Sequence, residues 1–393
     1  MSGHRCEAAT VEFGPNPEDQ AFRGEARAWL RDNPPAGTRR DWERTLGEAG
    51  WIGLGWPEGG HGNRRATLTQ QVAWAEEYAA SGAPPRSGHI GENLLAPTLI
   101  THGSPDQKSR FLPPIARGEE LWCQGYSEPG AGSDLAGVRT AAVRDTPDTY
   151  RITGQKIWTS LAHEADWCFV LVRTDPDSHR HHGLTFLLVP MDQPGRVEVR
   201  PIRQLTGTSD FNEVFFDGAS ARAEHVVGGE GDGWRVAMSL LGFERGVSTL
   251  AQQIGFAREL GDVVRAAVAT GAASDPVVRD RLVAQWAELR AMRWNALRTL
   301  GAAADPGAPS VAKLLWGRWH QRLGELAMQV RGAAGAVGPT DWSPEAPYEL
   351  DPFQHLFLFS RADTVYGGSD QIQRTVIAER VLGLPKEPRG PKG

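Results

Sequence analysis

"TYRITGQKIWTS" (149–160) sets β-branched, aromatic and polar residues in near alternation, with one glycine and no proline. Such a run favours a half-buried strand over a helix. It is followed by "WCFVLVRT" (167–174), "GLTFLLVPM" (183–191), "VEVRPIRQL" (197–205) and "NEVFFDG" (212–218), parted by turn-rich stretches such as "TDPDSHRHH" and "DQPG". Strands that succeed one another without intervening helices imply a small barrel or sandwich, not a doubly wound sheet. This β-rich text fills roughly residues 121 to 230.

On either side the period changes. Residues 18–32 and 67–81 space their apolar positions three and four apart, as amphipathic helices do, and residues 91–120 read as short helices punctuated by Pro and Gly. After "GGEGDG" the helical period returns and holds to about 382, broken by "SDP", "ADPGAPS" and "GPTDWSPEAPYELD". The expectation is an α+β multidomain chain: a helical region over 1–120, a β region over 121–230 and a helical region over 231–393, with a frayed tail.

Composition narrows the class. The chain has 393 residues, 40% of them apolar and 23% charged, as in globular proteins of two or three domains. A net charge of −6 gives no electrostatic reason to expect a nucleic-acid or membrane partner. Cys6, Cys123 and Cys168 make neither a disulfide framework nor a metal-ligand spacing. No run reads as a signal peptide or a membrane helix, so the expected setting is cytoplasmic.

Several motifs have plain structural readings. "GGEGDGW" (228–234) does not carry the G-x-G-x-x-G spacing and has no βαβ unit around it, so it reads as a turn between domains. "GAAGAVG" (332–338) follows a helix, not a strand. His179, His181 and His182 lie in a polar turn and read as solvated, with no metal expected.

"CQGYSEPGAGSDLAGVRTAA" (123–142) carries more. Pro129, Gly130 and Gly132 make a tight turn decorated by Ser127, Ser133 and Asp134, able to present N–H groups and hydroxyls to a bound polar group. In "GQKIWTS" (154–160), strand alternation places Trp158 and Ser160 on one face. In "LLGFERGVSTLAQQIGF" (240–256), Glu244 stands on a helical stripe otherwise made of Ala237, Leu241, Ser248, Ala251 and Gly255. A carboxylate on a stripe of small residues is either a structural ion pair or a reactive group.

The first two stretches, together with "TVYGGSDQIQRTVIAERVLGL" (364–384), resemble the acyl-CoA dehydrogenase family: a T/S-E-P-x-A-G-S-D turn, a G-x-K-x-W-x-T/S strand and a Y-x-G-T/S-x-x-I-Q-R helix, in order. "GSPDQKSRFLPPIARGE" (103–119) is similar to the family's N-terminal helix connection, so the resemblance spans roughly 18 to 384. It implies an N-terminal helical domain, a middle β-barrel and a C-terminal four-helix bundle. It also implies FAD, and oxidation of an acyl thioester, on CoA or an acyl-carrier protein, to the 2,3-enoyl form. Electrons would pass to an electron-transfer flavoprotein, and the chain would form a homo-oligomer, a dimer or tetramer.

By the same resemblance, Tyr126, Ser127 and Ser133 meet the flavin and pyrophosphate, with Ser133 also on the substrate side. Trp158 and Ser160 pack and hydrogen-bond the ring, Ser160 near N5. Gln329, Ser369 and Gln371 hold the adenosine half. Many members carry the catalytic base as Y-E-G in the last motif; here that position is Gly367. A smaller group carries it on a helix of the C-terminal domain, before an arginine, which is Glu244 followed by Arg245. Gly367 then contributes its backbone N–H to the thioester oxygen, and Arg245, about 100° round the helix, positions substrate, cofactor or helix. The family's R-x-x-F-G segment has no clear counterpart, leaving Arg279 and Arg281 as candidates for reaching a neighbouring cofactor. The rival readings are a flavin monooxygenase or oxidase of the same fold and a non-catalytic subunit of a hetero-oligomer.

Overall fold

The β-rich stretch folds as one eight-stranded sheet: β1 (Trp122–Gly125), β2 (Ala141–Thr146), β3 (Thr149–Ser160), β4 (Trp167–Arg173), β5 (Leu184–Pro190), β6 (Val197–Ile202), β7 (Phe211–Arg222) and β8 (Val226–Val227). The computed structural model describes residues 16–57, 61–244, 247–301, 307–339, 343, 348 and 350–386, without the side chains of 244, 247–251 and 298–301. The strand order is β6-β7-β3-β2-β4-β5-β8, with β1 added in parallel to β4. Tyr150 and Ile152 of β3 and Val214 and Phe216 of β7 share a core with Val170 and Val172 of β4 and Leu187 and Val189 of β5. The sheet therefore curls on itself and encloses its own interior, the barrel expected above.

β4 and β5 explain why they read as unbroken apolar runs. Their alternate residues Phe169, Leu171, Phe186 and Leu188 face outward, into a second core. Strands buried on both faces need apolar residues at every position. The covering elements come from both flanks: α4 (Ala96–His102) and α5 (Pro105–Ala116) from the N-terminal region, and α6 (Gly233–Glu244), which contributes Val236, Ala237 and Leu240. Gly233 starts α6 because a Cβ there would lie 2.5 Å from the Thr185 carbonyl carbon.

Upstream lie α1 (Pro17–Asp32), α2 (Arg39–Glu48) and α3 (Leu68–Ser81), around a cluster of Trp42, Trp51 and Trp74. Downstream, α7 (Val247–Ala269), α8 (Pro276–Gly301) and α9 (Ala308–Arg331) pack as long helices, closed by α10 (Pro352–Phe359), with α11 (Asp370–Val376) against α9. Close approach of α10 to α9 depends on Gly324, where a Cβ would meet Phe357 Cα at 2.9 Å.

The described residues of the expected 240–256 helix are helical, in α6 up to Glu244 and in α7 from Val247, and residues 245–246 lie outside the described residues. Of the expected stripe, Ala237 is buried against the sheet, and Gly255 borders a cavity among α7, α9 and α10. Unanticipated elements are α2, β1, β2 and β8. β1 is four residues long and "AAVRDT" of β2 has only one β-branched apolar residue, so neither carries a strong strand signal.

Candidate active site

Two of the expected motifs meet. The Ile157 N–H donates to the Ser127 carbonyl at 2.9 Å, tying the 123–142 turn to β3. The turn itself closes through reciprocal bonds, Glu128 N–H to the Ala131 carbonyl (3.1 Å) and Ala131 N–H to the Glu128 carbonyl (3.0 Å). Neither Gly130 nor Gly132 has positive φ, and a Cβ on either would meet nothing within 4 Å. The open space beside these backbones is the kind that a bound group fills.

Beneath the turn is a buried ion pair that sequence reading missed. Lys156, fully buried, donates through Nζ to Glu128 Oε1 (2.8 Å), the Leu171 carbonyl (2.8 Å) and the Tyr126 carbonyl (3.2 Å). Glu128 in turn accepts from the Arg139 N–H (2.7 Å) and the Thr140 N–H (2.8 Å). Burial pushes the Glu128 carboxyl up, but Lys156 and the Thr140 bonds outweigh it and hold the carboxyl below its ordinary value. Burial dominates at Lys156 and lowers its pKa despite Glu128. The lysine spans the turn, β3 and β4 at once, so it fixes where Tyr126 and Ser127 sit.

Trp158 sits in a bulge that the sequence does not show. Between Lys156 and Thr159, β3 advances three residues while β7 advances two, from Val214 to Asn212. Trp158 has φ +60° in this bulge and is 56% exposed, edge-on to Phe211. The extra residue falls before Thr159, which is buried, while Trp158 is exposed and Ser160 is half-buried and pairs with Phe211, so the alternation over 158–160 is kept. A large indole turned outward on a left-handed residue is costly unless something covers it. An exposed aromatic face next to hydroxyl-bearing residues and the open glycine turn fits a flat conjugated ring with a polar edge.

The third motif is anchored to the helices. Ser369 caps α11 by accepting from the Ile372 N–H (3.4 Å), and Asp370 pairs with Arg318 of α9 (3.1 Å). Gly367 and Gly368 have φ +62° and +85°, which a residue with a Cβ adopts at a cost, and Gln373 Nε2 donates to both carbonyls at 3.2 Å. Gln371 is exposed. Gln329 accepts from Arg281 Nη1 (2.6 Å), so of the two candidate arginines Arg281 is the one joined to another expected cofactor residue. No hydrogen bond among the described residues links Ser127, Ser133 or Ser160 to Ser369 or Gln371. The Glu244 side chain and all of Arg245 lie outside the described residues. Ser133 is exposed beside Asp134, which pairs with Arg180. In the same loop the His181 ring lies 4.2 Å from that of His182 and 5.8 Å from Trp234.

A cavity of about 330 Å³ lies beside the 366–368 corner, lined in part by Gly255, Phe256, Glu259, His320, Phe359 and Tyr366. In its wall, His320 Nδ1 is 2.6 Å from Asp363 Oδ2 and Nε2 is 2.8 Å from Glu259 Oε2. Facing a carboxylate on each side, the ring is charged: burial pulls its pKa down, but the Asp363 and Glu259 bonds outweigh it and push it up to about 9.

The order of parts and the joined motifs agree with the comparisons. The acyl-CoA dehydrogenase N-terminal, middle and C-terminal domain profiles match residues 16–119, 123–219 and 231–382. Over 392 residues the chain is 54% identical to acyl-CoA dehydrogenase IpdE1 of Mycobacterium tuberculosis, covering 94% of this chain and 99% of that protein. The chain belongs to the acyl-CoA dehydrogenase family. It is also 53% identical to IpdE1 of Mycolicibacterium smegmatis, covering 95% of this chain and 100% of that protein. Among solved structures, the Tcur3481-Tcur3483 steroid ACAD superposes with a TM-score of 0.83 at 29% identity, covering 96% of this chain and 100% of that one. The ChsE4-ChsE5 complex from Mycobacterium tuberculosis gives 0.78 at 28%, covering 96% and 100%. Family membership implies a flavin cofactor, consistent with the exposed indole and open turn. No described helix is long and apolar enough to cross a membrane.

Two outcomes follow. Lys156→Met should leave Glu128 buried without its cation, costing roughly 3–5 kcal/mol in denaturant unfolding and releasing flavin on gel filtration. His320 adds stability that is complete below its unfolded pKa of about 6.5 and is lost as pH rises through about 9. The unfolding free energy from urea titrations should therefore fall between those limits, by on the order of 3 kcal/mol, and His320→Gln should flatten that dependence.

Proposed function

We propose that this chain dehydrogenates an acyl thioester across its α and β carbons, with FAD as the bound cofactor and CoA as the carrier. The observation that carries the reading is the joining of the 123–142 turn to β3 through Ile157 and Ser127, over the buried Lys156–Glu128 pair. Bound FAD would supply the acceptor for the β-hydride and its electron pair. Trp158 would cover the ring, Ser160 would donate at its polar edge, and Tyr126, Ser127 and Ser133 would line the approach. Gln329, Ser369 and Gln371 would hold the adenosine half, with Arg281 steadying Gln329.

The α-C–H of a thioester is a weak acid, so a base must take the proton as hydride leaves the β carbon, the single bond becoming double. Gly367 has no side-chain base. Glu244, the last residue of α6, is the carboxylate we assign to that step. Negative charge growing on the thioester oxygen calls for fixed donors, and the Gly367 backbone N–H is one. Arg245 would position the substrate. A positioned base contributes about 10²–10⁴ in rate, so one carboxylate suffices to separate an active from an inactive member.

Mixing purified protein with a panel of acyl-CoAs without oxygen tests this. Wild type should bleach at the flavin band, and Glu244→Gln should keep FAD but slow bleaching by about 10²–10⁴. Unchanged bleaching would remove Glu244 from the role. Reoxidation by an electron-transfer flavoprotein, with little oxygen uptake, would support the dehydrogenase reading over an oxidase.

For assembly, the outer face of α8 is informative. Val283, Trp286 and Trp294 are 57%, 54% and 65% exposed and share one helical face. A stripe of that kind fits a second chain. The expected homo-oligomer stands beside solved relatives whose names join two different chains, so a paralogous partner is the second reading. Trp286→Glu with Trp294→Glu should lower the mass of the native particle in light scattering; an unchanged mass would place the interface elsewhere.

A further inference from the structure

The Tyr366–Gly367 corner is held by a chain of polar contacts that the flavin motifs do not include. Asp363, 1% exposed, sits on the short turn Ser360–Thr364. Its Oδ2 accepts from His320 Nδ1 (2.6 Å) and its Oδ1 from the Tyr366 hydroxyl (2.6 Å), while its backbone carbonyl accepts from Lys313 Nζ. Glu259 of α7 takes the other imidazole nitrogen. The helix α9 is shaped for this. A Cβ on Gly317 would lie 3.1 Å from the Asp363 carbonyl oxygen, so glycine there admits the turn to within reach of His320 and Lys313.

Immediately after Tyr366 come the two left-handed glycines. Gln373 fixes their carbonyls from behind, whereas Tyr366 fixes the chain ahead of them. No acceptor among the described residues takes the Gly367 N–H. We propose that Glu259, His320 and Asp363 form a hydrogen-bonded clamp on Tyr366 that aims the Gly367 N–H at the thioester oxygen. The proposal rests on the dehydrogenation reading above, and its residues are positioning residues, acting through the corner and not on the reacting atoms.

The polar character of the clamp is what distinguishes it from packing. Apolar residues of equal volume would hold α9 against this turn without the cost of desolvating the Asp363 carboxylate and the imidazolium. What hydrogen bonds add is direction: each fixes a donor against one oxygen. The titratable groups around the imidazole are Glu259 from α7 and Asp363 from the turn, both bonded to it, Tyr366 just beyond the turn and His355 in the same cavity wall, while Lys313 on its own helix bonds the Asp363 carbonyl. A neutral ring can donate from only one nitrogen, so deprotonation must break one end of the chain.

The experiment uses flavin-loaded enzyme and cinnamoyl-CoA, an unsaturated thioester whose absorption band moves to the red when its carbonyl accepts a hydrogen bond. Wild type should red-shift the bound band, and the shift should shrink as pH rises through about 9. Tyr366→Phe, which removes one hydroxyl at the rim, and His320→Gln should both reduce the shift. Their kcat should fall about ten- to a hundredfold, short of the 10²–10³ for outright loss of an oxyanion donor, with KM nearly unchanged. Glu259→Gln should give a smaller loss and blunt the alkaline limb. Variants that keep the full shift and kcat, losing only thermal stability, would overturn the clamp while leaving the dehydrogenase reading intact. Conversely, a wild type that red-shifts cinnamoyl-CoA but is not reduced by any saturated thioester would remove the dehydrogenase reading and keep the clamp.

Discussion

A single ammonium group holds the site together. From β3, Lys156 Nζ reaches the Tyr126 carbonyl and the Glu128 carboxylate in the turn and the Leu171 carbonyl on β4, so one group ties three segments of chain. Its charge is excluded from water, so it persists only because every donor is used. The Glu128 carboxylate is satisfied in the same way, by two backbone N–H groups on the far side of the turn. The turn is thus determined from below by the barrel, and its upper surface, with Gly130 and Gly132, is free to meet a ligand. A site built on backbone held by a buried pair is rigid before anything binds, which spares binding energy for orientation.

The helical half of the site is built on different terms. There the corner at Gly367 and Gly368 is a stretch of backbone in a conformation that side chains disfavour, held at both ends by side chains from α9, α11 and the turn before it. The barrel contributes a fixed platform; the helices contribute a corner whose aim depends on hydrogen bonds and on the protonation of His320. The two halves come from segments separated by the whole of α6 to α10, and it is the second core, around Phe169, Phe186 and Leu240, that sets α6 against the sheet.

Much of this was legible in sequence, for definable reasons. Strand text between helical text is a local signal, and β3, β4, β5, β6 and β7 carried it. The family motifs are also local, and the turn and β3 do meet. What sequence could not supply was pairing across distance. Lys156 and Glu128 both stand inside quoted motifs, yet nothing in either motif says they face one another. His320 lies 43 residues from Asp363 and 61 from Glu259, with no spacing rule to join them. The bulge at Trp158 was hidden because "GQKIWTS" alternates well enough to pass for a regular strand, and only the register with β7 reveals the extra residue. Short strands such as β1 were hidden because their stability lies in a neighbour, not in their own residues.

β4 and β5 have a consequence for how such a chain comes to exist. With Phe169 and Phe186 stacked on one side and Val170 and Leu187 buried on the other, the sheet has no face that tolerates water at its centre. The middle segment is therefore no portable module: excised, it would offer a broad oily surface to its own copies and clump. During synthesis the leading helices are already made when β4 emerges, but α6 is not, so the nascent sheet must wait half-clad until the ribosome has delivered residue 244 and beyond.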